Sequence, residues 1–133
     1  MKYLFDVNVL IAWGWRDHPD HDRVDHWIAG VLKRNGARIL TSAIPELGFV
    51  RVSVQRGSGK VTAAQAGTVL EGMVNSLGKA HEFLPDDLDA RAWPSWCQGA
   101  ARTTDAHLLA LAQSHDAELA TLDTGIPGAF VIP

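Results

Sequence analysis

Four acidic side chains stand out by where they fall among the apolar residues of the sequence. Asp6 follows the apolar run Tyr3-Leu4-Phe5, Asp123 follows Leu119-Ala120-Thr121-Leu122, and Glu46 and Asp105 open segments with helical spacing. A carboxylate at the end of a buried strand is costly to desolvate unless a cation or hydrogen-bond donors compensate it. Mg²⁺ and Mn²⁺ are suitable partners, because hard ions seek oxygen ligands and Mg²⁺ keeps waters while binding carboxylates; an all-carboxylate set fits them better than zinc. Each acid alone has an ordinary explanation, since a helix N-terminus favours a negative side chain by about 0.3–1 kcal/mol. The combination of four points to a divalent metal. Two polar residues stand beside the set. In an extended chain Thr121 shares a face with Asp123 and can orient that carboxylate, or is a plain β-branched strand residue. Asn8 either supports Asp6 or caps the first helix.

These acids are far apart in sequence, so the elements around them must do the gathering. A chain of 133 residues, 47% of them hydrophobic, predicts a single domain spanning 1–133 that buries roughly two-thirds of its unfolded surface. Tyr3–Phe5 reads as a strand, and Val24, Trp27, Ile28, Val31 and Leu32 recur at helical spacing until Asn35-Gly36. Arg38–Thr41 is a second strand, followed by a helix with Pro45 in its first turn and a break at Arg56-Gly57. Thr62 and Gln65 have capping-box spacing ahead of a helix that Gly78 closes. His81–Leu84 suits a third strand, and residues 88–99 suit one short helix or two pieces split by Pro94. A helix from Asp105, a strand over Glu118–Leu122 and an edge strand over Ala129–Ile132 complete the chain. Strands alternating with helices predict an α/β fold, a three-layer α/β/α sandwich around a mostly parallel sheet of about four or five strands. In such sheets reactive groups collect beyond the carboxyl ends of the strands, where all four acids are expected to lie.

Composition narrows the setting. The one cysteine, Cys97, has no partner in the chain, which fits a reducing, cytoplasmic interior. Asp6 and Asn8 interrupt the only apolar stretch resembling a signal peptide, and no segment approaches the roughly 20 apolar residues of a membrane span. With a net charge of −3, any grip on nucleic acid has to be local. Arg51, Arg56 and Lys60 after Glu46, and Arg102 before Asp105, are candidates for phosphate contacts, with surface solubility as the alternative. The stretch Asp17-His18-Pro19-Asp20-His21-Asp22, with His26 beyond it, reads as a solvated loop entering a helix. His107 is expected to be an ordinary hydrogen-bonded histidine, and the five tryptophans mainly packing residues.

Four motifs in order, Leu4-Phe5-Asp6-Val7-Asn8, Glu46-Leu47 with Phe49-Val50-Arg51, Thr104-Asp105 through Ala112, and Leu119 through Ile126, resemble the PIN-domain family from end to end of the chain. Within it the resemblance is to VapC-type toxins. It implies a Mg²⁺- or Mn²⁺-dependent endoribonuclease, inhibited by a cognate antitoxin encoded beside it and acting as a homodimer. It also implies that Asp6, Glu46, Asp105 and Asp123 hold the metal and carry catalysis, with Asn8 and Thr121 in support. In such chemistry a cation acidifies a water while a carboxylate orients or deprotonates it for attack on phosphorus. Two rival readings are a PIN-like nuclease for RNA maturation or structured DNA, and a silent PIN domain serving only as a binding module.

Overall fold

Alternate residues along the central strands face two different cores. In β1 (Lys2–Phe5), Tyr3 and Phe5 enter one apolar cluster and Leu4 the other; β2 (Arg38–Thr41) divides Ile39 from Leu40 in the same way. A strand that buries both faces belongs inside a sheet covered on both sides. The computed structural model, which describes residues 1–133, places β1 and β2 beside each other with Tyr3 against Ile39. β4 (Glu118–Thr121) flanks β1 on its other side, β3 (His81–Phe83) borders β2, and β5 (Phe130–Val131) borders β4. The order is β3-β2-β1-β4-β5 and every pairing is parallel, the expected architecture.

Four helices cover the first face. α1 (Val7–Gly14), α2 (His21–Leu32), α3 (Ala43–Arg56) and α4 (Ala63–Ser76) send Leu10, Trp27, Phe49 and Leu70 into one cluster with Tyr3, Phe5 and Ile39. α1 and α3 approach closely because a Cβ at Gly48 would stand only 2.6 Å from Val7 Cγ2. The capping box of α4 is formed, with Gln65 N donating to Thr62 Oγ1 at 3.1 Å and Thr62 N to Gln65 Oε1 at 2.9 Å. Gly78, at φ +57, ends that helix in the left-handed conformation.

The other face carries one helix, α5 (Thr103–Ser114), whose Leu108, Leu109 and Leu111 pack on Leu4, Leu40 and Leu119. The rest of that layer is residues 84–99, which form turns and not the short helix or helices expected. Two aspartates divert the backbone there: Asp86 Oδ1 accepts from Leu88 N and Asp89 Oδ1 from Arg91 N, local turns that compete with a helix. Asp86 and Asp87 tie the segment to α5 through His107 (2.7 Å) and His115 (3.2 Å). His107 is thus the hydrogen-bonded histidine expected. No helix is long and apolar enough to cross a membrane.

Candidate active site

β1 ends at Phe5, so Asp6 is delivered to the carboxyl edge of the sheet and at once caps α1. Its Oδ1 accepts from Val7 N at 2.7 Å, which makes Asp6, not Asn8, the N-cap. The other oxygen, Oδ2, receives the hydroxyl proton of Thr121 from the end of β4 at 2.8 Å. Asp6 is 4% exposed and Thr121 fully buried. Burial raises the Asp6 pKa above the ordinary value; the Thr121 and Val7 hydrogen bonds oppose this, and the neighbouring charges of Asp105 and Asp123 reinforce it. Asn8, inside α1, reaches across to β4: its Nδ2 donates to Thr121 Oγ1 at 3.3 Å and its Oδ1 accepts from Leu122 N at 3.2 Å. Of the roles open to Thr121, orienting the Asp123 carboxylate with its hydroxyl is not the one seen. Thr121 instead spends that proton on Asp6 and accepts from the Asp123 backbone N at 3.0 Å.

Asp105 lies in the first turn of α5 and Asp123 just beyond β4. A single atom, Arg102 Nη1, joins them, donating to Asp105 Oδ2 at 3.2 Å and to Asp123 Oδ2 at 3.0 Å. Asp105 is raised in pKa by burial, with the Arg102 hydrogen bond pulling the other way, and Arg102 is raised chiefly by its hydrogen bond to Asp105. Gly125 completes this corner. Its N donates to Asp123 Oδ1 at 2.8 Å, and a Cβ on it would meet Arg102 Nη2 at 2.5 Å.

Glu46, half-buried in the first turn of α3, keeps separate company. Its Oε2 accepts the hydroxyl proton of Thr41, the last residue of β2, at 2.7 Å, and Thr41 Oγ1 also contacts His81 Nε2 at 2.8 Å. Thr41 is fully buried, and burial lowers the His81 pKa against the opposing pull of Glu46. No hydrogen bond joins Glu46 to the three aspartates, although β1 and β2 end at the same sheet edge. The three aspartates are therefore gathered into one interacting group, with Glu46 apart from it in the first turn of α3, after the neighbouring strand.

A hard divalent cation fits this donor set by its chemistry: oxygen ligands only, two of them raised in pKa by burial, and two already converging on one positive atom. No three His, Cys, Asp or Glu side chains converge closely enough to enclose an ion as the side chains stand, and a guanidinium nitrogen lies between two of the acids. Of the other cations considered, Arg56 pairs with Asp17 at 3.1 Å and stacks on Trp15 at 4.8 Å. Ten residues along α3 from Glu46, it lies about 15 Å away along the helix axis, beside Asp17 and Trp15. Arg51 is exposed and, five residues after Glu46, points roughly 140° around the helix from it. Arg102 is turned into the acids and not outward to a phosphate. His18 and His21 serve the loop and helix start, accepting from Asp20 N and contacting Ala12 O.

Sequence reasoning missed Thr41, His81 and the inward role of Arg102. A signal for Thr41 existed: β2 and β4 are both apolar runs ended by threonine, and both hydroxyls donate to a carboxylate.

The family model of the PIN domain matches residues 3–129. Ribonuclease VapC44 of Mycobacterium tuberculosis is 38% identical to this chain, an alignment that covers 97% of this chain and 94% of the relative. Ribonuclease VapC29 of the same organism is 35% identical, with 95% and 89% covered, and its ribonuclease VapC39 is 32% identical, with 95% and 91% covered.

Proposed function

The chain belongs to the PIN-domain family and is of the VapC type, and from that premise we propose that it is a metal-dependent endoribonuclease, the toxin of a toxin–antitoxin pair. The observation that carries this reading is the group formed by Asp6, Asp105 and Asp123, three acids from distant parts of the chain that interact at one sheet edge. Relatives named as ribonucleases, similar over nearly their whole length, support RNA as the substrate. The chain acts as one nuclease domain in the cytoplasm, as a homodimer, and is held inactive by a cognate antitoxin.

Asp6, Asp105 and Asp123, with Glu46 beside them, would hold Mg²⁺ or Mn²⁺. When bound, such an ion acidifies a water and neutralises phosphate charge. The chain's own groups supply the rest. Val7 N and the Thr121 hydroxyl fix both oxygens of Asp6, so that its lone pairs keep one direction. Asn8 fixes Thr121 in turn and ties α1 to the end of β4. Glu46, steadied by Thr41, is the carboxylate available to orient or deprotonate the attacking water.

Incubating the purified protein with total RNA in Mg²⁺, Mn²⁺ or EDTA, and mapping the new ends, tests the reading. Discrete cleavages that need a divalent ion and vanish in Asp105→Asn are expected; cleavage that survives EDTA or that substitution refutes it. Growth arrest on expression, relieved by the small protein encoded alongside, separates a toxin from a maturation nuclease or a silent binding module.

A further inference from the structure

We propose that Arg102 competes with the divalent cation for its carboxylates: the guanidinium occupies the cation's place between Asp105 and Asp123 and gives it up when the ion binds. This rests on the metal-dependent reading above. One nitrogen, Nη1, lies 3.2 Å from Asp105 Oδ2 and 3.0 Å from Asp123 Oδ2, so both oxygens converge on a single point. Mg²⁺ binds oxygen at about 2.1 Å. An ion drawn to both of these oxygens would meet the guanidinium at the same two acceptors, so the two positive groups compete for them. No other lysine or arginine pairs with either acid.

The space for the guanidinium is built in. A Cβ at Gly125 would lie 2.5 Å from Nη2, 3.2 Å from Asp123 Oδ1 and 3.3 Å from Cζ, and the backbone there has no left-handed φ that would call for glycine by itself. The Arg102 side chain is 37% exposed, so it has an open route outward from the acids. Once released it stays at the mouth of the site, immediately before the first turn of α5, where a planar guanidinium suits an RNA phosphate.

The test is a calorimetric Mn²⁺ titration of the RNA-free protein, alongside thermal melts with and without Mn²⁺. Arg102→Gln should bind Mn²⁺ about tenfold more tightly than the wild type, the size of one lost competing bond between charged groups. It should also melt lower without Mn²⁺ and gain more from it. Arg102→Leu removes the positive charge but keeps an apolar stem on the side chain, and should tighten Mn²⁺ binding in the same direction; it carries the comparison if Arg102→Gln does not fold. Variants that bind Mn²⁺ no more tightly than a wild type that does bind it overturn the role of Arg102 and leave the metal-dependent reading standing. An absence of Mn²⁺ binding in every protein overturns both.

Discussion

Replacing Thr121 with valine removes one hydroxyl and keeps the side chain's shape. That hydroxyl is fully buried and donates to Asp6 Oδ2 at 2.8 Å, while its oxygen accepts from Asn8 Nδ2 and Asp123 N. A hydrogen bond to a charged group contributes about 1.5–3 kcal/mol, and the two orphaned donors add to the loss, so about 2–4 kcal/mol is expected at neutral pH. For 133 residues, an unfolding entropy of about 2.1 cal/mol/K per residue converts each kcal/mol to roughly 3.5 °C. The melting temperature should therefore fall by about 7–14 °C. The deficit should depend on pH in a known direction. The Thr121 bond favours the ionised form of Asp6, whose pKa is raised by burial, so the bond's contribution is full above that raised value and shrinks as acid protonates Asp6. Thr121→Ser keeps the hydroxyl and loses one methyl, worth about 0.5–1.5 kcal/mol. Calorimetric melts of the three proteins from pH 8 to pH 4 decide the matter. Equal losses for valine and serine, or a valine deficit that stays flat with pH, would refute the assignment of the hydroxyl to a charged Asp6.

Asp6→Asn should abolish hydrolysis, by at least about a hundredfold because several kcal/mol of transition-state stabilisation are lost, while the protein still folds. The raised pKa means that the folded protein holds a proton the unfolded chain has released, so wild-type stability declines as pH rises from 3.8 through the raised value; the variant should lack that decline, and the same slope in both proteins contradicts it. His81 has the opposite linkage. Its pKa is lowered by burial, so the wild type loses stability as pH falls below 6.5 and the ring must stay neutral; His81→Gln should remove that loss, and parallel acid limbs in denaturant titrations would exclude it. Gly48→Ala puts a Cβ 2.6 Å from Val7 Cγ2 and should cost about 1–3 kcal/mol by forcing α1 from α3, read as a lower urea midpoint at unchanged slope; an unaltered midpoint would mean that the two helices part freely.

Strand and helix order was legible because each central strand carries a short apolar run and each amphipathic helix a clear period, as in Val24, Trp27, Ile28 and Val31 of α2. α1 escaped separate delineation for a physical reason: Val9, Leu10, Ile11 and Ala12 are all buried, so no polar face marks its turn. Residues 84–99 escaped because side-chain turns at Asp86 and Asp89, together with the anchors to His107 and His115, decide their path. The positions of the three aspartates of the candidate site were legible because strand ends and helix starts fix where Asp6, Asp105 and Asp123 must go. What sequence position does not carry is side-chain direction. Glu46 and Arg102 are both where the alternation puts them, yet one bonds to a threonine on its own strand end and the other turns inward to two acids. Both directions are set by partners distant in sequence or by missing atoms: the ring of His81, which steadies Thr41, and the absent Cβ of Gly125, which admits the guanidinium. A residue's place on an element thus follows from local pattern, whereas the atom it serves depends on which neighbours the fold brings within about 3 Å.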